Sequence, residues 1–195
     1  MYSLILDSAT KRLYACLVKD KKVLFERYID GKNDHAKYVV SVVDEALKEN
    51  NLKIDDINNL IVGVGPGSYT GVRMAVTVMK MFSVFKDIKL YKISTLKLMS
   101  SGYKGLVLSY IDARHGNVFA SIYDTAKNKY LVNEGIYNLE ELKTNDYEVE
   151  FNESTYEVDP LYVIENKEEV DNPDLLVPNY LRDTEAERNL NDKKI

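Results

Sequence analysis

Short apolar runs separated by turn residues fill most of the first half of the chain. Runs of this length, bounded by Gly, Pro, Asp or Lys, are typical of strands. The predicted strands span residues 2–6, 12–18, 23–28, 60–64 and 90–93. Apolar residues at helical spacing predict helices over 33–50, 71–85 and 96–101, with Asn33 or Asp34 as the cap of the first. Strands that alternate with helices indicate an α/β fold.

The helix predicted over 71–85 is apolar around more of its circumference than one packed face requires. Its apolar arc is about 220° wide, roughly twice the width of one buried stripe. The apolar residues form two flanks, with Val72, Ala75, Val76, Met79 and Phe82 on one and Met74, Val78, Met81 and Phe85 on the other. The excess indicates either burial between a sheet and the preceding helix or docking of another chain. We assign the docking surface to the flank of Val72 and Met79, although the periodicity alone allows either, and we expect a homodimer when no other partner is present.

A glycine-rich stretch joins the strand at 60–64 to this helix. It contains Gly65, Pro66, Gly67, Ser68, Tyr69, Thr70 and Gly71 and is followed closely by Arg73. The glycines permit a tight turn, and Ser68 or Thr70 can cap the helix. The spacing matches neither a Walker A loop nor the dinucleotide-binding fingerprint. The stretch is therefore interpreted either as a helix start that binds an anion or as a structural corner between strand and helix.

The second half of the chain repeats the beginning of the first. The strand predicted over 106–111 ends at Asp112, eight residues before Ala120, just as Asp7 stands eight residues before Ala15. This repeat predicts two related half-domains, over 1–101 and 102–195, joined by a linker at 101–105. Strands are also expected over 118–123, near Tyr130 and over 161–164, with a short helix over 139–142 and an extended tail from 171. The second half-domain is therefore a reduced version of the first.

Composition narrows the class of protein. The 195 residues are 45% hydrophobic, which is typical of a globular chain with a real core. Cys16 is the only cysteine and lies in an apolar run, so a buried structural thiol is predicted. The net charge of −5 divides into +5 over 1–101 and −10 over 102–195, which makes the chain a poor nucleic-acid binder on its own. The sequence has no signal peptide and no membrane-spanning run, so a cytoplasmic protein is expected.

Two carboxylates are placed symmetrically, and they are the candidates for a degenerate nucleotide site. Asp7 and Asp112 each close the first strand of a repeat, where they could bind a magnesium ion through waters or could serve as turn residues. Neither has a glycine pair beside it that would let the backbone approach a phosphate. His35 and His115 are the only histidines and fall in different halves. We therefore predict no catalytic residue, no bound metal and no cofactor.

Four stretches resemble one known family. Residues 65–73, Gly-Pro-Gly-Ser-Tyr-Thr-Gly-Val-Arg, resemble the G-P-G-S-[FY]-T-G-[VI]-R signature of bacterial TsaB (YeaZ), and residues 5–10, 111–114 and 178–182 agree with it in the same order. The resemblance implies two RNase H-like half-domains of the actin/Hsp70/sugar-kinase (ASKHA) type.

The resemblance also implies a function. TsaB proteins are partners of the transferase TsaD in making N6-threonylcarbamoyladenosine (t6A) at adenosine 37 of transfer RNAs that decode ANN codons. Thr95 and Met99 stand where TsaD has its two metal-binding histidines, and neither side chain replaces imidazole as a ligand. This implies a non-catalytic scaffold that binds TsaD through the helices at 33–50 and 71–85, also meets the ATPase TsaE, and reaches transfer RNA only through the complex. Two alternatives are a small-molecule kinase and a peptidase. For the first, this sequence lacks phosphate-binding loops at Asp7 and Asp112, and for the second it shows no nucleophile and no set of metal ligands.

Overall fold

The computed structural model describes residues 1–31 and 37–181. Its strands are β1 (Tyr2–Asp7), β2 (Arg12–Lys19), β3 (Lys22–Asp30), β4 (Asn59–Gly63), β5 (Lys89–Ile93), β6 (Leu106–Asp112), β7 (Asn117–Asp124), β8 (Lys129–Asn138), β9 (Val149–Asn152) and β10 (Glu168–Glu169). Its α-helices are α1 (Val39–Glu49), α2 (Tyr69–Lys86), α3 (Thr95–Ser100), α4 (Leu139–Leu142) and α5 (Pro160–Asn166), with 3-10 turns at Ile54–Asp56 and Pro173–Leu175. The predicted caps Asn33 and Asp34, and His35, lie outside the described residues.

The larger sheet has six strands in the order β10-β5-β4-β1-β2-β3, of which β10 comes from the C-terminal half of the chain. β1 pairs antiparallel with β2 and parallel with β4, and β4 pairs parallel with β5. The central strands are buried along their length because both faces of the sheet are covered. α1 and α2 lie on the same face, and their buried residues form one core with Leu4 and Leu60.

The second half-domain repeats the hairpin that opens the first. Its four strands have the order β8-β7-β6-β9, and β6 pairs antiparallel with β7 as β1 does with β2. The registers differ by one residue, since Asp7 lies opposite Tyr14 whereas Asp112 lies opposite Val118. The mixed α/β architecture confirms the predicted fold class, and the second sheet is the smaller of the two.

A second core lies between the two sheets and joins them. It combines Ile5 and Ile61 of the first half-domain with Ile111 and the fully buried Tyr156 of the second. Polar contacts surround Tyr156. Its carbonyl accepts a hydrogen bond from Arg12 Nη1 at 2.9 Å, and its hydroxyl lies 3.1 Å from Thr10 Oγ1.

An aromatic and cationic cluster reinforces this junction. The Arg12 guanidinium lies 4.3 Å from the centre of the Tyr28 ring and 5.5 Å from that of Tyr156. The Tyr28 hydroxyl accepts a hydrogen bond from the Val158 amide at 2.8 Å. Burial raises the pKa of Tyr28 to about 12, so this hydroxyl stays neutral at physiological pH.

One predicted strand of the second half is a helix in the structure. Residues 161–164, predicted as a strand, lie in α5 because Asp159 caps the helix by accepting from the amides of Leu161 and Tyr162 and Pro160 occupies its first turn. After α5 the chain returns to the first sheet, where β10 pairs with β5. The segment after α5 therefore packs with the first half-domain, whereas the division at 101 and 102 stays a prediction.

A buried hydroxyl without a partner gives a stability prediction. Ser121 on β7 is fully buried, and its Oγ has no hydrogen-bond partner among the described residues. The hydroxyl of Ser109, opposite it on β6, does have a partner, because its Oγ shares a hydrogen bond of 2.9 Å with Ser100 Oγ. We expect Ser121→Ala to raise the free energy of unfolding by about 1 kcal/mol and Ser109→Ala to lower it by about 1 kcal/mol, both measured by urea denaturation. Equal effects of the same sign would contradict this.

Candidate functional site

The glycine loop, residues 65–71, turns the chain from β4 into α2. Gly65 and Gly67 have φ values of 91° and 153°, which residues with a side chain rarely adopt. Ser68 is the N-cap of α2, and its hydroxyl accepts a hydrogen bond from the Gly71 amide at 3.3 Å, which confirms the predicted cap. Thr70 lies exposed in the first turn of the helix.

The loop packs directly on the turn between β1 and β2. The Ser68 amide donates to the Ala9 carbonyl at 2.7 Å, and Ser8 Oγ donates to the Gly71 carbonyl at 2.7 Å. A Cβ atom added at Gly71 would lie 2.0 Å from the Ser8 carbonyl oxygen, and one at Gly67 would lie 2.3 Å from that of Ala9. The loop is therefore a tightly packed corner between strand and helix, in which its backbone lies directly against the backbone of the β1–β2 turn.

The outer edge of the loop meets the C-terminal segment. The Tyr69 ring lies 5.2 Å from that of Tyr180, and the Arg73 guanidinium donates to the Tyr69 hydroxyl at 2.7 Å. The Asn179 amide donates to the Val64 carbonyl at 2.7 Å, beside the loop. Arg73 therefore holds the aromatic pair that closes this edge.

Asp7 is fully buried beneath the loop. Its Oδ1 accepts from the Ala9 amide at 2.7 Å, and its Oδ2 accepts from Thr95 Oγ1 at 2.6 Å. Thr95 Oγ1 also accepts from the Gly65 amide at 3.0 Å, so one hydroxyl links β1, the loop and α3. A Cβ added at Gly63 would lie 1.7 Å from Asp7 Oδ2, which shows how closely the strands approach.

Asp112 occupies the corresponding turn of the second half-domain. Its Oδ1 accepts from the Arg114 amide at 2.7 Å, as Asp7 accepts from the amide two residues further on, but the Asp112 side chain is exposed. Each carboxylate thus serves as a local turn acceptor. These hydrogen bonds do not join the two carboxylates to each other.

The residues at the metal-site positions do not suit a metal. Thr95 is fully buried and bonded to Asp7, and Met99 lies fully buried in the core between the sheets. Among residues 1–31 and 37–181, no group of three His, Cys, Asp or Glu side chains is placed to hold a metal ion. Burial raises the pKa of the Cys16 thiol to about 12, so Cys16 is not a ready nucleophile.

The helix flank that the sequence assigned to a partner faces the chain's own core. Val72, Ala75, Val76 and Met79 are buried, and Phe82 packs against the same core. The assignment of the docking surface to this flank is therefore wrong for the described conformation, because the sheet already covers it. On the opposite flank Met81 and Phe85 are exposed, whereas Val78 is buried in the same core and Met74 packs partly against it.

Sequence reasoning missed the contacts of the C-terminal segment with α2. Lys80 Nζ donates to the carbonyls of Asp174 and Leu176, at 2.9 and 3.1 Å, and Leu176 is buried against the helix core. The only signal in the sequence was the polar stripe of α2, which contains Lys80 together with Arg73 and Thr77. Two surface grooves, of about 470 and 460 Å³, are lined by neither Asp7 nor the glycine loop. No helix in the described part of the chain has the length and apolarity to cross a membrane.

Comparisons with known proteins agree with this architecture. The family model described as TsaD, tRNA N6-adenosine threonylcarbamoyltransferase, matches residues 29–163. Two curated relatives are named tRNA threonylcarbamoyladenosine biosynthesis protein TsaB. The one from Bacillus subtilis is 29% identical over 63% of this chain and 55% of its own length, and the one from Escherichia coli is 30% identical over 66% and 57%. The chain thus spans a little over half the length of these relatives.

Solved structures show the same fold. A structure described as YeaZ from Pseudomonas aeruginosa has a TM-score of 0.77 at 17% identity and covers 92% of this chain and 99% of its own. Another, described as an uncharacterized protein with similarity to peptidase YEAZ from the same organism, has a TM-score of 0.76 at 18% identity and covers 93% and 99%.

The two sheets, the repeated strand–Asp–turn hairpin and the glycine loop define an α/β protein of the actin-like, RNase H-like class. The chain belongs to the family that the TsaD model describes, and its named relatives place it in the TsaB (YeaZ) branch of that family.

Proposed function

We propose that this chain is a non-catalytic scaffold subunit in the t6A modification of transfer RNA. In this role it binds the TsaD transferase, together with the ATPase TsaE, and reaches transfer RNA in the cytoplasm through the complex. The observation that carries the proposal is an exposed apolar face on α2, adjoining a glycine loop that is packed for structure. The names of the curated relatives support the pathway.

The α2 docking face consists of Met74, Thr77, Met81, Val84 and Phe85. Three of its apolar side chains are largely open to solvent, with exposed fractions of 77% at Phe85, 52% at Met81 and 49% at Val84. They recur three or four residues apart, so they share one face of the helix. Clustered exposed side chains of this size are typical of a protein–protein interface.

α1 extends this face. It lies beside α2 on the same side of the sheet; its Val40 side chain is 56% exposed, and Tyr38, the residue just before it, is 39% exposed. α2 carries no acidic residue between Tyr69 and Lys86, whereas α1 carries three between Val39 and Glu49. A partner built on the same fold could therefore place its own α1 against this α2 with opposite charges in register. A paralogue such as TsaD fits that description, and so does a second copy of the chain.

The two catalytic alternatives gain no support from the site. The oxygens of Asp7 accept hydrogen bonds from Thr95 and the Ala9 amide. Neighbouring backbone occupies the space beside Gly67 and Gly71, so a phosphate has no room there. For a peptidase, the buried Cys16 thiol is no nucleophile, and the described residues hold no cluster of metal ligands.

The test places a charge on the docking face. We expect Met81→Glu and Phe85→Glu to weaken association with TsaD at least 10-fold, because a carboxylate would be buried at the centre of the interface. Pull-down and sedimentation measure this, with folding checked by circular dichroism. Leu131→Glu on β8, where the parent side chain is 54% exposed, is the matched control and should bind normally. If the α2 variants bind like the parent, the scaffold uses another surface.

A further inference from the structure

The hairpin between β6 and β7 holds Arg114 in a backbone conformation that arginine rarely adopts. Arg114, His115 and Gly116 all have positive φ, at 64°, 55° and 76°. This is the region that hairpin turns normally fill with Asn-Gly or Gly-Gly, because a Cβ atom is strained there. The corresponding turn between β1 and β2 contains no residue of this kind. The other described non-glycine residues with positive φ are Asp20, Asn51, Asp87 and Asn128, and Asn and Asp tolerate this region better than arginine does.

The turn is nevertheless held firmly. The Ala113 amide donates to the Asn117 carbonyl at 2.9 Å, and the Asn117 amide donates to the Arg114 carbonyl at 3.1 Å. Asp112 Oδ1 fixes the Arg114 amide at 2.7 Å. In proteins, strained backbone conformations that surrounding contacts hold in place occur most often at functional sites.

The side chains of Arg114 and His115 have no partner among the described residues. Within the described ranges, 1–31 and 37–181, Arg12, Arg27 and Arg73 all have polar or ring partners, and Arg114 has none. His115 likewise makes no side-chain hydrogen bond, ion pair or ring contact in those ranges, and both residues are exposed. Two successive residues thus expose a guanidinium and an imidazole at a turn that three hydrogen bonds hold.

We propose that the tip formed by Arg114 and His115 contacts a backbone phosphate of the transfer RNA while the chain is held in its complex. The inference rests on the proposed function, which supplies the RNA. A planar guanidinium suits two phosphate oxygens at once, and a neighbouring imidazole adds a further donor. A single fixed contact also fits the acidity of the second half, which excludes broad RNA binding by the chain alone.

The experiment compares the parent with a double variant, Arg114→Asn with His115→Gly, which supplies the residues that such a turn prefers. Binding of an ANN-decoding transfer RNA to the complex with TsaD is titrated at several salt concentrations. We expect the variant to bind about 3- to 30-fold more weakly, with the slope of log K against log salt reduced by about 1, since each phosphate contact contributes roughly 0.7 to 0.9. We expect its melting temperature, as the free chain, to rise by a few degrees.

Two controls separate charge from backbone. Arg114→Lys keeps the charge and should retain most of the salt slope. Lys104→Gln removes an exposed cation just before the other end of β6 and should leave binding unchanged.

Several results would overturn the inference. Unchanged RNA binding by the double variant would do so, and so would a loss of TsaD association, which would make the tip a protein contact. A melting temperature that fails to rise would remove the strain argument. If the parent protein forms no complex with TsaD, it is the proposed function that is wrong, and this result is obtained before any variant is tested.

Discussion

Met79→Glu should unfold the isolated chain. Met79 is fully buried between α2 and the first sheet, so the new carboxylate would have no water and no partner. An unpaired buried charge costs about 3–5 kcal/mol, a large part of the total stability of a domain. Burial also raises the pKa of the introduced carboxyl above its unfolded value of about 4.3. The loss of stability should therefore be small at or below that pH and grow as the pH rises.

Urea denaturation at two pH values measures the effect. Met81→Glu is the matched control, since it places the same charge two residues away on a side chain that is 52% exposed, and its free energy of unfolding should stay within about 0.5 kcal/mol of the parent. If Met79→Glu is as stable as the parent at neutral pH, Met79 is not in the core and the orientation of α2 is wrong.

Gly71→Val and Gly67→Val should both destabilise the fold by about 3 kcal/mol or more. At Gly71 the cause is space, because a Cβ would stand 2.0 Å from the Ser8 carbonyl oxygen. At Gly67 a φ of 153° adds backbone strain to a contact of 2.3 Å with the Ala9 carbonyl oxygen. For a chain of this size the melting temperature should fall by roughly 6–12 °C, as measured by calorimetry.

Gly116→Asn is the control for these variants. Gly116 also has positive φ, but a Cβ there meets nothing within 4 Å, and Asn tolerates the left-handed region. Its melting temperature should match that of the parent. Equal losses at all three positions would mean that any glycine substitution destabilises the chain, and the close approach of loop and turn would not be the reason.

Local pattern was sufficient for the elements of the first half. Apolar runs with turn residues at their ends placed β1, β2, β3 and β5 within two residues, because a strand buried on one or both faces must be apolar along its length. The repeat around Asp7 and Asp112 also lay in the sequence, since a strand end that needs a turn acceptor selects the same residue type twice.

Short apolar runs misled the prediction in the second half. Residues 161–164 are as apolar as a strand, but α5 begins there because Asp159 and Pro160 satisfy and pre-shape its first turn. A run of four apolar residues does not by itself distinguish a strand from a helix turn. The cap preceding it was the better signal.

The sequence by itself determined the order of the elements, the glycine corner and the family, because these depend on residue type and spacing along the chain. Only the tertiary structure decided which side chains of α2 are exposed, that Thr95 ties Asp7 to the glycine loop, and that the Arg114 side chain has no hydrogen bond, ion pair or ring contact within residues 1–31 and 37–181. Periodicity fixes the angle between side chains around a helix axis but not the direction in which the sheet lies. That direction follows from how α1, α2 and the sheet share one core, and it makes Phe85 and Met81 available to a partner while Met79 is not.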